Sequence, residues 1–137
     1  MASPPTTSSR PQDKMIFVID DDATVRDLLE LLIEGEGFRC ETAADGEEGL
    51  QKIGKLRPDL ILLDLMLPRY GGIEILRQLQ TGDTASIPIV VVTGRYADAT
   101  TSEMIRQEPN VVDFIEKPIN TKPFGLLLHK ILQTKPI

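Results

Sequence analysis

Four apolar runs in this chain each lead to a residue able to do chemistry. Met15-Ile16-Phe17-Val18-Ile19 runs into Asp20-Asp21-Asp22, and Leu60-Ile61-Leu62-Leu63 into Asp64. Ile87-Pro88-Ile89-Val90-Val91-Val92 runs into Thr93, and Val111-Val112-Asp113-Phe114-Ile115-Glu116 into Lys117. In a parallel α/β sheet the carboxyl ends of the strands share one edge, and ligands bind in the crevice outside it. Four such ends would gather three or four carboxylates, a hydroxyl and an ammonium in one pocket. That set suits a divalent cation and a phosphoryl group.

Mg²⁺ takes near-octahedral oxygen ligands, usually one or two carboxylates with water and phosphate oxygens in the other places. Asp20, Asp21 and Asp64 can supply the carboxylates. An aspartate can also act as a nucleophile and form an aspartyl phosphate. Charge on the transferring phosphoryl oxygens must then be met by the metal and by a cation such as Lys117, with Thr93 donating a hydrogen bond. Each residue also has an ordinary reading. Three acids in a row commonly start a helix, because Asp favours the first turn. A lone Asp or Thr after a strand commonly caps or turns, and a lone Lys commonly lies on the surface. Their joint position at four strand ends of one series favours the site.

The elements that must place them alternate in period. Short apolar runs follow stretches of helical spacing, the pattern of repeated βα units around a parallel sheet. Strands are expected near 15–20, 38–43, 59–63, 87–92 and 111–116. The first helix carries Val25, Leu28, Leu29, Leu32 and Ile33 at the 3.6-residue period and ends at Gly35 and Gly37. Asp45 can cap the second, with Glu48 answering three residues on, and Pro58 stops it. Gly72, Ile75, Leu76 and Leu79 mark the third, closed by Gly82-Asp83. A fourth is expected over 97–107 on a thin stripe of Ala97, Met104 and Ile105. The last begins near Pro123, a good first-turn residue, and presents Leu127, Leu128, Ile131 and Leu132.

At 137 residues the chain has room for one domain with a real core, and no second domain is expected after Ile137. Hydrophobic residues at 41% and charged residues at 26% place it among globular proteins. A net charge of -6 disfavours the basic stripe that nucleic-acid binding needs, so no direct DNA contact is expected. Cys40 is the one cysteine, which precludes an intrachain disulfide or cysteine metal cluster and fits a reducing compartment; it reads as a structural residue. Residues 1–13 are Pro/Ser/Thr-rich and read as a flexible tail, leaving 14–134 as the domain. No run approaches the ~20 apolar residues that span a bilayer, and the chain reads as cytoplasmic.

Val18-Ile19-Asp20-Asp21-Asp22-Ala23-Thr24-Val25-Arg26, Leu62-Leu63-Asp64-Leu65-Met66-Leu67-Pro68, Val91-Val92-Thr93-Gly94 and Phe114-Ile115-Glu116-Lys117-Pro118 together resemble the four signatures of response-regulator receiver domains of two-component signalling. The resemblance covers about residues 14–134. It implies a doubly wound, flavodoxin-like α/β fold with a five-stranded parallel sheet in the order 2-1-3-4-5. It also implies that Asp64 accepts a phosphoryl group from a phosphohistidine of a sensor histidine kinase or histidine phosphotransfer protein. Spacing back from Arg26 matches Asp20 and Asp21 to the family's acidic pair and leaves Asp22 at the helix start. Asp21 would ligate Mg²⁺, or Mn²⁺ in its place, directly, Asp20 partly through water, and Met66 through its backbone carbonyl. Lys117 would contact the phosphoryl group, Thr93 would move toward it, and Phe114 would change rotamer with Thr93. Lys117–Pro118 would be a cis peptide.

The face of the fourth helix, fifth strand and last helix would then repack and bind a downstream protein, with the chain a monomer or a phosphorylation-dependent dimer. Some positions depart from the family pattern. Gly94 stands where Ala is usual, and Glu108-Pro109-Asn110 replaces the usual Gly-Ala step into the fifth strand. Met66 and Arg95 match positions that in the family influence hydrolysis of the phosphoryl group, and a thioether cannot orient an attacking water well, so the resemblance implies a long-lived phosphoryl state. His129 is expected on the surface or in packing. Two competing functions are a phosphorylation-independent interaction module and a Mg²⁺-dependent aspartyl phosphohydrolase. The second needs an acid two residues after its nucleophile, where this chain has Met66.

Overall fold

Five parallel strands form one sheet: β1 (Met15–Ile19), β2 (Arg39–Ala43), β3 (Leu60–Asp64), β4 (Ile89–Thr93) and β5 (Val111–Glu116). Their order is β2-β1-β3-β4-β5, the doubly wound order expected. Among the described residues, the helices with defined bounds are α1 (Ala23–Gly35), α2 (Gly46–Leu56), α3 (Gly72–Gln78) and α4 (Thr121–Leu132). This computed structural model describes residues 10–65, 67, 71–94, 103 and 105–135.

β3 and β4 are buried at every position, which is why both read as unbroken apolar runs. Side chains alternate between the two faces along each strand. Phe17, Ile19, Ile61, Leu63 and Val91 pack with Ile53 of α2 and with Ile75 and Leu76 of α3. Ile16, Val18, Leu62 and Val92 pack on the other face with Leu29 and Ile33 of α1 and with Phe124 and Leu128 of α4. Each fully buried side chain of this size contributes roughly 1.5–3 kcal/mol of transfer free energy. A one-residue slip of β3 would exchange its two faces at once, so the register that places Asp64 is strongly specified.

The strand order reverses beside β1, whose neighbours are β2 and β3. Such a switch point opens a crevice outside the carboxyl ends of the strands. Local chemistry fixes how the helices leave that edge. The Asp22 carboxylate accepts from the N–H groups of Thr24 and Val25, capping α1. Asp45 caps α2 by accepting from the Glu48 N–H, and the Glu48 carboxylate accepts from the Ala44 N–H at 2.9 Å. That bond and the Lys52 ammonium hold the Glu48 carboxyl below its usual range. α2 ends where Arg57, in the left-handed region at φ 49°, meets Pro58.

The structure differs from the sequence reading in several places. β1 stops at Ile19, and β3 includes Asp64, which pairs with Val92. Pro88 precedes β4 and contributes only its carbonyl, which accepts from Ile61. Pro11–Asp13, assigned by composition to the tail, form a 3-10 turn with Pro11 buried. The Arg39 guanidinium holds that turn through the carbonyls of Gln12 and Asp13, a contact that composition cannot register. Of the expected fourth helix, Glu103, Ile105 and Arg106 are helical; most of 97–104 lies outside the described residues, as do residues 1–9.

Candidate functional site

Asp20 follows the last residue of β1, its N–H donating to the Ala43 carbonyl of β2 at 3.2 Å. Its side chain is almost completely buried, at 1% exposure, and Oδ1 accepts from the Asp22 N–H at 2.9 Å. The Asp20 carbonyl accepts from Arg26 Nη1 at 2.8 Å, so the first turn of α1 clamps the strand end from two sides. Asp64 ends β3 and is buried; Thr93 ends β4 and is fully buried; Asp21 is exposed. Lys117 follows β5, and its N–H donates to the Thr93 carbonyl at 2.7 Å, which aims the side chain across the sheet edge. The Lys117–Pro118 peptide is cis.

The Lys117 ammonium lies 2.7 Å from Asp20 Oδ2 and 3.5 Å from Asp64 Oδ2, joining the ends of β1, β3 and β5. Burial disfavours this ammonium, but the hydrogen bond to Asp20 and the charges of Asp64 and Asp20 outweigh it. Its pKa is held above the ordinary value of 10.5. Carboxylate oxygens of Asp20, Asp21 and Asp64 all lie within 4.8 Å of one another. An all-oxygen donor set of this size and charge fits a hard divalent cation. A Cβ on Gly94 would sit 3.7 Å from Lys117 Cδ, an ordinary contact, so the family's usual Ala would fit and the departure leaves the site intact.

The fold thus gathers Asp20, Asp21, Asp64, Thr93 and Lys117 at one edge. Phe114 lies half-buried on β5 beside the Arg106 guanidinium, whose carbon is 5.1 Å from the ring centroid. Met66, Arg95 and the remaining loop residues at 68–70 lie outside the described residues. Sequence reasoning used Arg26 only to set the register of the acids and missed its bond to Asp20. An Arg on the first turn of a helix that follows an acidic strand end was the available signal. His129 is buried, stacked on Phe38, and bonded to Glu36 and Thr134 at 2.7 Å each. It packs, as one of the two expected readings had it, and lies in α4 away from the acidic edge.

A family model for the response regulator receiver domain matches residues 16–128. This chain belongs to that family. Among its relatives, the DNA-binding response regulator MtrA of Mycobacterium tuberculosis (strain ATCC 25618 / H37Rv) is 38% identical over 107 residues, covering 78% of this chain and 45% of that protein. The transcriptional regulatory protein AfsQ1 of Streptomyces coelicolor is 34% identical over 118 residues, covering 86% and 51%. The chain therefore spans about half the length of these curated relatives. A solved receiver domain protein (CheY-like) from Methanospirillum hungatei superposes with a TM-score of 0.80 at 30% identity, covering 88% of this chain and 94% of that one. The receiver domain here carries the acidic triad at the strand ends where the two-component family's fold opens its crevice. No described helix is long and apolar enough to cross a membrane.

Proposed function

We propose that this receiver domain is a phosphoacceptor switch in which Asp64 takes a phosphoryl group from a phosphohistidine. The observation that carries the reading is the Lys117 ammonium between the buried carboxylates of Asp20 and Asp64, with fully buried Thr93 ending the intervening strand. An Asp64 carboxylate oxygen attacks phosphorus, the O–P bond forms as the donor's N–P bond breaks, and the electron pair leaves on the imidazole nitrogen. Lys117 offers the incoming phosphoryl oxygens a fixed positive charge, and the Thr93 hydroxyl is a donor within the same edge. Asp20, Asp21 and Asp64, with the Met66 carbonyl, would hold Mg²⁺, which supplies charge neutralisation on the phosphoryl oxygens when bound.

The donor is a histidine kinase or a histidine phosphotransfer protein. The domain takes part in its own phosphorylation and dephosphorylation and turns over no separate substrate. The readout face lies around β5 and α4. A groove of about 370 Å³ there is lined by Phe114, Glu116, Pro118, Phe124 and Leu127 among others, within reach of the switch aromatic. A downstream protein would bind this face. Mass spectrometry after incubation with acetyl phosphate and Mg²⁺ tests the reading. A gain of one phosphoryl group, lost in Asp64→Asn, supports it; no gain in the unaltered chain leaves the phosphorylation-independent module.

A further inference from the structure

We infer that Gly72 is a positioning residue for the phosphoacceptor: its bare Cα lets the first turn of α3 rest directly on the Asp64–Leu65 backbone and fixes the direction in which Asp64 enters the pocket. The inference rests on Asp64 being the phosphoacceptor. A Cβ built on Gly72 would lie 2.5 Å from Leu65 Cα, 2.6 Å from the Asp64 carbonyl oxygen and 2.8 Å from the Leu65 carbonyl oxygen. All three are backbone atoms, which no rotamer change can move aside.

Other described glycines are also crowded, but differently. The nearest atoms to a Cβ on Gly49 belong to the Ile19 side chain, and those to one on Gly125 to the Glu36 carboxylate end, side-chain atoms and not backbone. The Gly72 N–H also donates to the Leu65 carbonyl at 3.3 Å, so the residue is tied to the segment it touches. Leu65 and Leu67 are buried in the same cluster as Ile75 and Leu76 of α3, so the side chains on both sides of this backbone contact are packed together as well. A side chain at residue 72 must therefore open the contact between α3 and the backbone that carries the Asp64 carboxylate, which loosens the placement of that carboxylate against Lys117.

The test compares phosphorylation by acetyl phosphate at saturating Mg²⁺ in the unaltered chain, Gly72→Ala, Gly71→Ala and Leu76→Ala, each at a temperature where far-ultraviolet circular dichroism finds it folded. Gly72→Ala is expected to lose rate on the order of 10²-fold, the effect of a misplacement of about 1 Å at a reacting group. Gly71→Ala, whose Cβ would have the exposed end of the Glu74 side chain as its nearest neighbour, keeps its rate. Leu76→Ala loses core packing in the same helix and also keeps its rate, which separates positioning from stability. A folded Gly72→Ala chain phosphorylated as fast as the unaltered one overturns the inference. Amide exchange in the unaltered chain covers a variant that fails to fold: a protected Gly72 N–H supports the contact, and exchange at the speed of an open loop refutes it. An unaltered chain that takes no phosphoryl group fails the functional reading instead, and the exchange measurement still decides the contact.

Discussion

The two edges of the sheet both bury polar side chains, and they satisfy them in opposite ways. At the amino edge, the Asn110 amide donates to the Ile87 carbonyl and accepts from Gln80, and Asp59 accepts from the Met15 N–H at 2.8 Å. The buried amide there is neutral, and the carboxylate answers a backbone donor. At the carboxyl edge the carboxylates of Asp20, Asp21 and Asp64 gather, and the two buried ones, Asp20 and Asp64, meet the Lys117 ammonium. The first edge is a closed account of hydrogen bonds, which rigidifies the fold. Among the described residues, the second gathers carboxylates close enough to share a cation, which suits it to take a cation and a phosphoryl group.

Substitutions at the two edges should separate these characters. The largest stability effect belongs to Lys117→Ala. It leaves Asp20 buried without its ammonium and should cost about 3–5 kcal/mol at neutral pH, read from urea unfolding. Added Mg²⁺ should restore part of that loss. A cost unchanged by Mg²⁺ would mean that the acids do not share a cation site. Asn110→Ala should cost less, about 1–3 kcal/mol, by orphaning the Ile87 carbonyl and Gln80. Mg²⁺ should change nothing there, and Mg²⁺ dependence at this edge would erase the contrast.

Asp21→Asn should work in the opposite direction. It removes one of three crowded carboxylates from the exposed side of the cluster and should stabilise the metal-free chain by about 1 kcal/mol, near the Coulomb energy of a close pair in water. A loss of stability in metal-free buffer would show that repulsion is not stored there.

The smallest effect concerns Cys40, away from both edges on β2. Burial first, and then the charges of Glu30, Glu34 and Glu41, push its thiol up to about 12 from 9.0. The folded state therefore favours the neutral thiol, so this contribution is complete below the unfolded value and declines as pH rises between about 9 and 12. Urea midpoints across that window should fall more for the unaltered chain than for Cys40→Ala. Equal slopes would mean that the thiol is not held neutral.

Local signals read well wherever the physics was local. Asp45 caps the helix start and Glu48 answers as its spacing suggested, though its carboxylate takes the N–H of Ala44, one residue before the cap, and the unbroken run before Thr93 is a strand buried on both faces. The five strand ends do share an edge, because hydrophobic periodicity alone forces the βα alternation that puts them there. Contacts between distant segments read poorly. Lys117 and Asp20 are separated by 97 positions, and His129 and Glu36 by 93, and no period in the sequence relates them. Gly72 counted in the sequence as one member of a helical stripe, whereas its importance lies in the backbone it touches.

By itself the sequence determined the strands, most of the helices, the caps that start α1 and α2, and the set of side chains reaching the carboxyl edge. These follow from burial periodicity and from hydrogen bonds within a few residues. Only the tertiary structure decided that Asp20 and Asp64 are buried while Asp21 is exposed, that Lys117 bridges the buried pair, and that α3 rests on the Asp64 backbone. Those facts depend on the register and close approach of elements far apart in the chain, which packing sets and no local pattern encodes.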